Sequence, residues 1–391
     1  MNLLTQDFTY RMAGVAGALD AESRLWNLPL EADSPSFLLS HFFESATAFI
    51  KQDDYRGLRQ GLFFYDREDT PLSEISSIEI CLEKHGAFYH PARVSVFLAS
   101  KDVLLFVLNT AVSDSGRGVM DSEARALLRL AREVPEVPLP RVFSAGQVTT
   151  KAGEAGFFLA QWFEGFLEFH ITGSPESRRL DLWESDGTTI PVESPGYFVL
   201  YEQAAEILTR LYNLETYEQV FPWHHAAGDF VAKPLDKGFD LRLITVRNYD
   251  SMIGIAGESG DVDMDGINRA LFLFFLNLGL RMRLDRIDGT EDFCLVDPGV
   301  VPHVVTGFFK GLQSKRLGTM AGADLCQSFV DFTNELDPGE LMEVLEMTIA
   351  SYNPSAPEIP LIQRELVAHS EMLVSQLGKM GKKSFFIDKA F

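Results

Sequence analysis

Residues 78–112 read IEICLEKHGAFYHPARVSVFLASKDVLLFVLNTAV. Three β-rich runs lie in this stretch: IEICLEKHG, ARVSVFLAS and DVLLFVLNTAV. They are parted by turn signals at His85-Gly86 and at Ser100-Lys101-Asp102. Branched and aromatic side chains suit a pleated, half-buried surface, so runs this short with polar breaks predict a three-strand meander. A helix should follow, with Ala124, Leu127, Leu128 and Ala131 as its apolar stripe and Asp121 or Ser122 as its cap. After the proline-rich connection PEVPLPRVFSAG, the run FFLAQWF (Phe157 to Phe163) reads as a further strand.

On the N-terminal side, residues 1–75 read as mostly helical. Ser34-Pro35-Ser36 supplies a helix start, and FLLSHFFESATAFI continues with apolar residues at helical spacing. On the C-terminal side the pattern becomes helical after Gly165, with an amphipathic helix from Tyr197 to Asn213. FDLRLITVRNY (Phe239 to Tyr249) has strand character. The glycine- and acid-rich GIAGESGDVDMDG reads as a surface loop without the twelfth-position glutamate of an EF-hand. An apolar helix starts at Ile267, and from Val304 the chain is mostly helical, broken at Asn353-Pro354. Strands, one helix, a strand and then a helical half make an α+β protein rather than alternating βα units.

The chain has 391 residues, 46% hydrophobic and 23% charged, the balance of a folded protein long enough for two lobes. Acidic residues number 56 against 34 basic, a net charge of −22, which repels a nucleic acid at long range. Cys81, Cys294 and Cys326 form no CxxC pair, and three thiols fit a reducing, cytoplasmic setting better than a disulfide framework. MNLLTQDFTYRM lacks the basic and apolar regions of a signal peptide. The most apolar stretch, Ala270 to Leu280, is far short of the roughly 20 residues a bilayer requires, so no membrane span is expected.

Ala227-Gly228-Asp229 after a long helix, and the element order of residues 78–310, resemble the protein-kinase-like phosphotransferases, in particular the aminoglycoside phosphotransferase and choline kinase branch. The resemblance implies a two-lobed architecture. It comprises a β-rich lobe over residues 76–165 and a mainly helical lobe over 166–391, preceded by a helical extension over 1–75. It further implies ATP and magnesium as cofactors and a small-molecule ligand. Asp229 would accept the proton of the substrate hydroxyl, with His225 and Lys233 near the phosphate. Glu123 would match the glutamate that pairs with the ATP-binding lysine. Lys84-His85-Gly86 stands where the family has its glycine-rich loop, with one glycine, and Glu164 falls in the hinge that meets adenine.

Departures from the family pattern are numerous. No lysine stands on LLFVLN, where Asn109 is the nearest polar residue, although Lys84 and Lys101 are on neighbouring segments. The family's metal-binding asparagine falls on Pro234, and its metal-binding aspartate falls on Thr245 or, in a second alignment, on Asp297 of LVDPG. Three function classes follow: a small-molecule phosphotransferase, a degenerate relative (a pseudokinase) that binds a ligand or protein partner in the interlobe cleft, and a metal-dependent enzyme built on histidine. The last would draw on His85, His90, His170, His224 and His225, whose spacings match no standard metal motif. Arg281, Arg283, Asp285, Arg286 and Asp288 cluster after the apolar helix and read as ion pairs that hold the fold.

Overall fold

The computed structural model describes residues 7–31, 34–68, 70–86, 88–174, 177–184, 187–193, 196–224, 228–251, 264–289 and 292–381. The chain divides into two compact units, one of residues 1–133 and 139–165, the other of residues 134–138 and 166–391. The acidic stretch 254–263 of the expected surface loop lies outside the described residues, as do His225 and Ala227.

The first unit is built on a six-stranded sheet. In chain order its elements are β1 (Asp7–Met12), β2 (Pro29–Glu31), β3 (Ser34–Leu38), α1 (Leu39–Phe64), β4 (Ile75–Leu82), β5 (His90–Leu98), β6 (Val103–Ala111), α2 (Asp114–Glu133), β7 (Val142–Thr150) and β8 (Gly153–Gln161). The spatial order is β1-β4-β5-β6-β8-β7, antiparallel throughout except that β1 runs parallel to β4. The meander expected over residues 78–112 is present as β4, β5 and β6.

One face of this sheet buries Ile78, Ile80, Val94, Val96, Phe106 and Phe157 in a core completed by Phe42, Phe43, Phe49 and Ile50 of α1. Phe49 and Phe157 stack with ring centroids 5.0 Å apart. Each such fully buried side chain stabilises the fold by about 1.5–3 kcal/mol. Helix α1 is kinked at Gln52–Tyr55, where Asp53, Asp54 and Tyr55 take positive φ values.

Residues 1–75 are not mostly helical. Strands β1 to β3 precede Leu39, and Ser34-Pro35-Ser36 lies inside β3 because the residue before proline is pushed toward extended backbone. The helix starts at Leu39 instead, where Nδ1 of His41 accepts the Leu38 N–H at 3.0 Å and satisfies one donor of the open first turn. Helix α2 likewise begins at Asp114, a full two turns before the expected caps.

The second unit opens with a three-stranded sheet, not with helix as the sequence reading expected: β9 (Glu168–Thr172), β10 (Arg179–Trp183) and β11 (Thr189–Val192). Next come α3 (Phe198–Leu211), β12 (Glu218–Val220), β13 (Phe230–Pro234), β14 (Phe239–Leu243) and β15 (Tyr249–Ser251). The expected strand over 239–249 is thus two strands: β14 pairs with β13, and β15 pairs with β12. The rest comprises α4 (Met264–Arg281), β16 (Leu284–Arg286), β17 (Phe293–Leu295), α5 (Val300–Gln313), β18 (Arg316–Leu317), β19 (Met320–Ala321), α6 (Gly322–Glu335), α7 (Pro338–Ala350) and α8 (Ile359–Met380).

Helix α4 is the buried axis of this unit. Twelve of its residues, from Ile267 to Leu280, are buried, and the Phe275 ring lies 4.9 Å from Phe308 of α5 and 5.7 Å from Phe329 of α6. Such edge-to-face clusters add to area burial. Among the described residues no helix is long and apolar enough to cross a membrane.

Candidate functional site

Polar side chains in the second unit converge where β9 passes between two hairpins. On one side, Leu167 and Ala232 of β13 exchange backbone hydrogen bonds of 2.9 and 2.8 Å. On the other, the Asp288 N–H donates to the Ile171 carbonyl at 2.8 Å, just beyond β16. Glu168 and His170 are therefore held between the turn at Gly228-Asp229 and the turn at Asp288-Gly289.

Both turns use glycine where the backbone needs it. Gly228 has φ +71°, and a Cβ there would lie 2.6 Å from the Glu168 carboxylate carbon. Gly289 has φ +72°, and a Cβ there would lie 2.9 Å from the His170 ring. Left-handed backbone already disfavours other residues, and the close approach of acid and imidazole closes the remaining space. Nε2 of His170 lies 3.4 Å from Glu168, and its ring meets Trp183 edge-on at 5.5 Å.

Asp229 lies just before β13 and is 1% exposed. Arg247, in the link between β14 and β15, grips both carboxylate oxygens: Nη1 donates to Oδ2 at 2.5 Å and Nη2 to Oδ1. The His224 N–H donates to Oδ2 at 2.6 Å. The Ile244 N–H donates to the Asp229 carbonyl at 2.8 Å and brings the Arg247 segment back alongside. Charge-assisted, bidentate contacts of this kind are the strong ones.

The neighbouring charges set protonation. Burial first, and then the positive charges of Arg281, Arg286 and Arg247, push the His224 imidazole down to about 4, so at neutral pH it is uncharged. Its ring meets Phe293 edge-on at 6.1 Å, and the Arg286 guanidinium sits 4.1 Å above the same ring. Arg281 is sandwiched between Phe221 and Tyr352 at 4.7 Å from each ring. Asp285 on β16 is fully buried, and burial pushes its carboxyl up to about 8 against the opposing effect of backbone N–H donors.

The expected cluster of ion pairs after α4 is therefore more varied than simple Arg–Asp pairing. Arg281 stacks on aromatics, Arg283 reaches Glu365 of α8 at 4.0 Å, and Asp285 accepts backbone N–H at 2.7 Å.

The other sequence-derived candidates are dispersed. Lys233 is exposed on β13 with its ammonium 5.8 Å from the Phe166 ring; it stands four positions beyond Asp229, about 13 Å along the strand. Thr245 is buried two residues before Arg247. Asp297 is exposed and accepts the Gly299 N–H at 2.6 Å, ahead of α5.

In the first unit, Lys84 and His85 are exposed and Gly86 half-buried in the β4–β5 connection. The His85 ring is 5.2 Å from that of His90, whose Nε2 lies 2.8 Å from Glu31. Asn109 is buried on β6 between Pro91 and Phe158, and Glu123 is fully buried in α2. Glu164 is exposed after β8; burial, and secondly the Glu164 charge, raise the Tyr65 hydroxyl to about 12. Among the described residues no group of three or more His, Cys, Asp or Glu is arranged to hold a metal ion.

Sequence reasoning did not single out Arg247, read Asp285 only as an ion-pairing residue, and placed Glu168 with Glu164 and His170 in the expected hinge rather than beside the Gly228-Asp229 turn. The available signal was the arginine in ITVRNY, which follows a hairpin that begins at the acid it grips.

No protein-family model matches the chain. No curated protein matches it either.

Proposed function

We propose that the chain is a catalytically degenerate kinase-like protein, which binds a ligand or partner and no longer transfers phosphate. The observation that carries this reading is the state of Asp229. A general base presents a free lone pair to the hydroxyl it deprotonates. An ionised carboxylate offers about four acceptor positions; two guanidinium donors and the His224 N–H take three of them, and Asp229 is itself only 1% exposed. The acid is used as a clamp between the β13 turn and the Arg247 segment.

Kinase-like ancestry is supported by the strand order β4-β5-β6-β8-β7, with α2 joining β6 to β7 and carrying a buried Glu123. It is supported again by a Gly-Asp turn that opens directly into the β13–β14 hairpin. Loss of transfer fits the substitutions: Asn109 at the lysine position, Pro234 at the metal asparagine, and Thr245 at the metal aspartate of the preferred alignment. Phosphoryl transfer depends on cations that neutralise developing charge, and these changes remove them.

Thermal unfolding with and without ATP and magnesium tests the reading. A ligand at 100 times its dissociation constant stabilises a fold by about 2.7 kcal/mol. The expected result at millimolar ATP is no magnesium-dependent rise in Tm and no ATP consumption. A magnesium-dependent rise, with turnover that Asp229→Asn abolishes, would restore Asp229 to the role of base.

A further inference from the structure

Helices α4 and α6 of the second unit flank an open groove of about 460 Å³. Asp324, Asp331 and Glu335 of α6 and Asp265 of α4 line it. Asp265 is partly neutralised by Arg269 at 2.8 Å. Asp324 accepts the Ala321 N–H at 3.1 Å, and Asp331 accepts from Gln327 at 2.8 Å. Among the described residues, none of the three α6 carboxylates has an ion-pair partner.

A second observation marks the floor of the groove. Asn268 is only 6% exposed, and its Nδ2 donates to the Ser328 hydroxyl at 3.0 Å. Its Oδ1 is buried and has no hydrogen-bond partner among the described residues. A buried acceptor left unmet is costly, and native proteins rarely keep one without use. What it lacks is a donor, and the rim supplies negative charge to attract a cationic one.

We propose that this groove docks a basic helix of a partner protein, with one lysine or arginine anchored over Asn268. The spacing of the acids selects a helix as the occupant. Asp324, Asp331 and Glu335 recur at intervals of seven and four residues, about 10 Å and 6 Å along the axis of α6. A partner helix laid antiparallel along α6, with basic residues at four- and seven-residue intervals, meets all three. Half-buried Phe332 gives the stems of those side chains an apolar surface to cover. Among the described residues no three His, Cys, Asp or Glu side chains converge as a metal ion would need.

The test uses two fluorescein-labelled alanine-based helical peptides of equal charge. One carries lysine at four- and seven-residue intervals on one face, and the other carries the same lysines spread around the helix. The matched peptide should bind the full-length protein more tightly. Its affinity should fall about fivefold to tenfold in the double variant Asp331→Asn/Glu335→Gln, as expected for two surface charge pairs. Asn268→Leu should also weaken binding with little change in Tm, because relief of the unmet acceptor, at similar volume, offsets the lost hydrogen bond to the Ser328 hydroxyl. Asp20→Asn/Glu22→Gln makes the same change in net charge in the other unit and should leave affinity unchanged.

Equal binding of the two peptides, or an equal loss in the Asp20/Glu22 control, would overturn the proposal as general attraction to an acidic protein. Competition by spermidine as strong as by the matched peptide would overturn it in favour of a free polyamine.

Discussion

Arg247 places both terminal nitrogens on the carboxylate of Asp229, and in doing so fixes the link after β14 to the turn before β13. The acid is buried and the guanidinium is largely so, with 20% of its side chain exposed. A pair in that position is sensitive to the loss of either member, because the survivor keeps its desolvation cost without its compensation.

Arg247→Ala should therefore destabilise the second unit by about 3–5 kcal/mol. Arg247→Lys keeps the charge but loses the planar fork, and should recover only part of that. Chemical denaturation of the two variants gives the comparison; equal stability of Arg247→Lys and the parent chain would mean the bidentate geometry contributes nothing.

Gly228→Ala forces a Cβ onto left-handed backbone and into the Glu168 carboxylate. A loss of about 1–2 kcal/mol from the backbone alone is expected, with more from the displaced acid. The double variant Gly228→Ala/Glu168→Ala should regain the second part and keep the first. Full recovery in the double variant would show that the backbone is unstrained.

Stability should respond to pH with opposite signs at two buried sites. His369 on α8 is fully buried, and burial, with the Arg283 charge second, pushes its imidazole down to about 3 from 6.5. The unfolded chain then binds the proton more readily, so the stability linked to His369 and His224 is lost as pH falls below about 6.5. Asp285 works the other way: its folded value of about 8 lies above 3.8, so its stability is complete below 3.8 and is lost as pH rises toward 8. Asp285→Asn should remove the loss of stability between pH 3.8 and about 8, and His369→Leu the loss between pH 6.5 and about 3. A stability–pH curve unchanged in these variants would remove the groups from the account.

Phe275→Ala opens a cavity in the aromatic cluster of α4, α5 and α6 and should cost about 3–5 kcal/mol. Urea unfolding measures it, and a loss under 1 kcal/mol would mean the cluster closes around the gap.

Elements whose pattern is local were legible in the sequence. The β4–β6 meander and helices α3 and α4 show their periodicity within one window. Strand β1 alternates exposed Asp7, Thr9 and Arg11 with half-buried Phe8, Tyr10 and Met12. It is six residues long, and its partner β4 lies some seventy residues on, so nothing nearby marked it as part of a sheet.

Strands β9 to β11 are four or five residues each, β9 and β10 begin with a charged residue, and the three gave little signal against the helical pattern that follows. The turn at Gly228-Asp229 was visible as a motif, whereas the identity of its partner was not. Arg247 reaches Asp229 only because the β13–β14 hairpin reverses the chain, a fact of pairing rather than of spacing. Sequence alone could place an acid at this turn, but the arginine decides whether that acid is available to a substrate.

The most direct measurement is the unfolding free energy of Asp229→Asn. If Asp229 is a clamp, the substitution leaves the Arg247 guanidinium without its charge partner, and stability should drop by about 2–4 kcal/mol. If Asp229→Asn unfolds with the same free energy as the parent chain, the acid is not bearing structure, and its assignment as a retired catalytic residue would be contradicted.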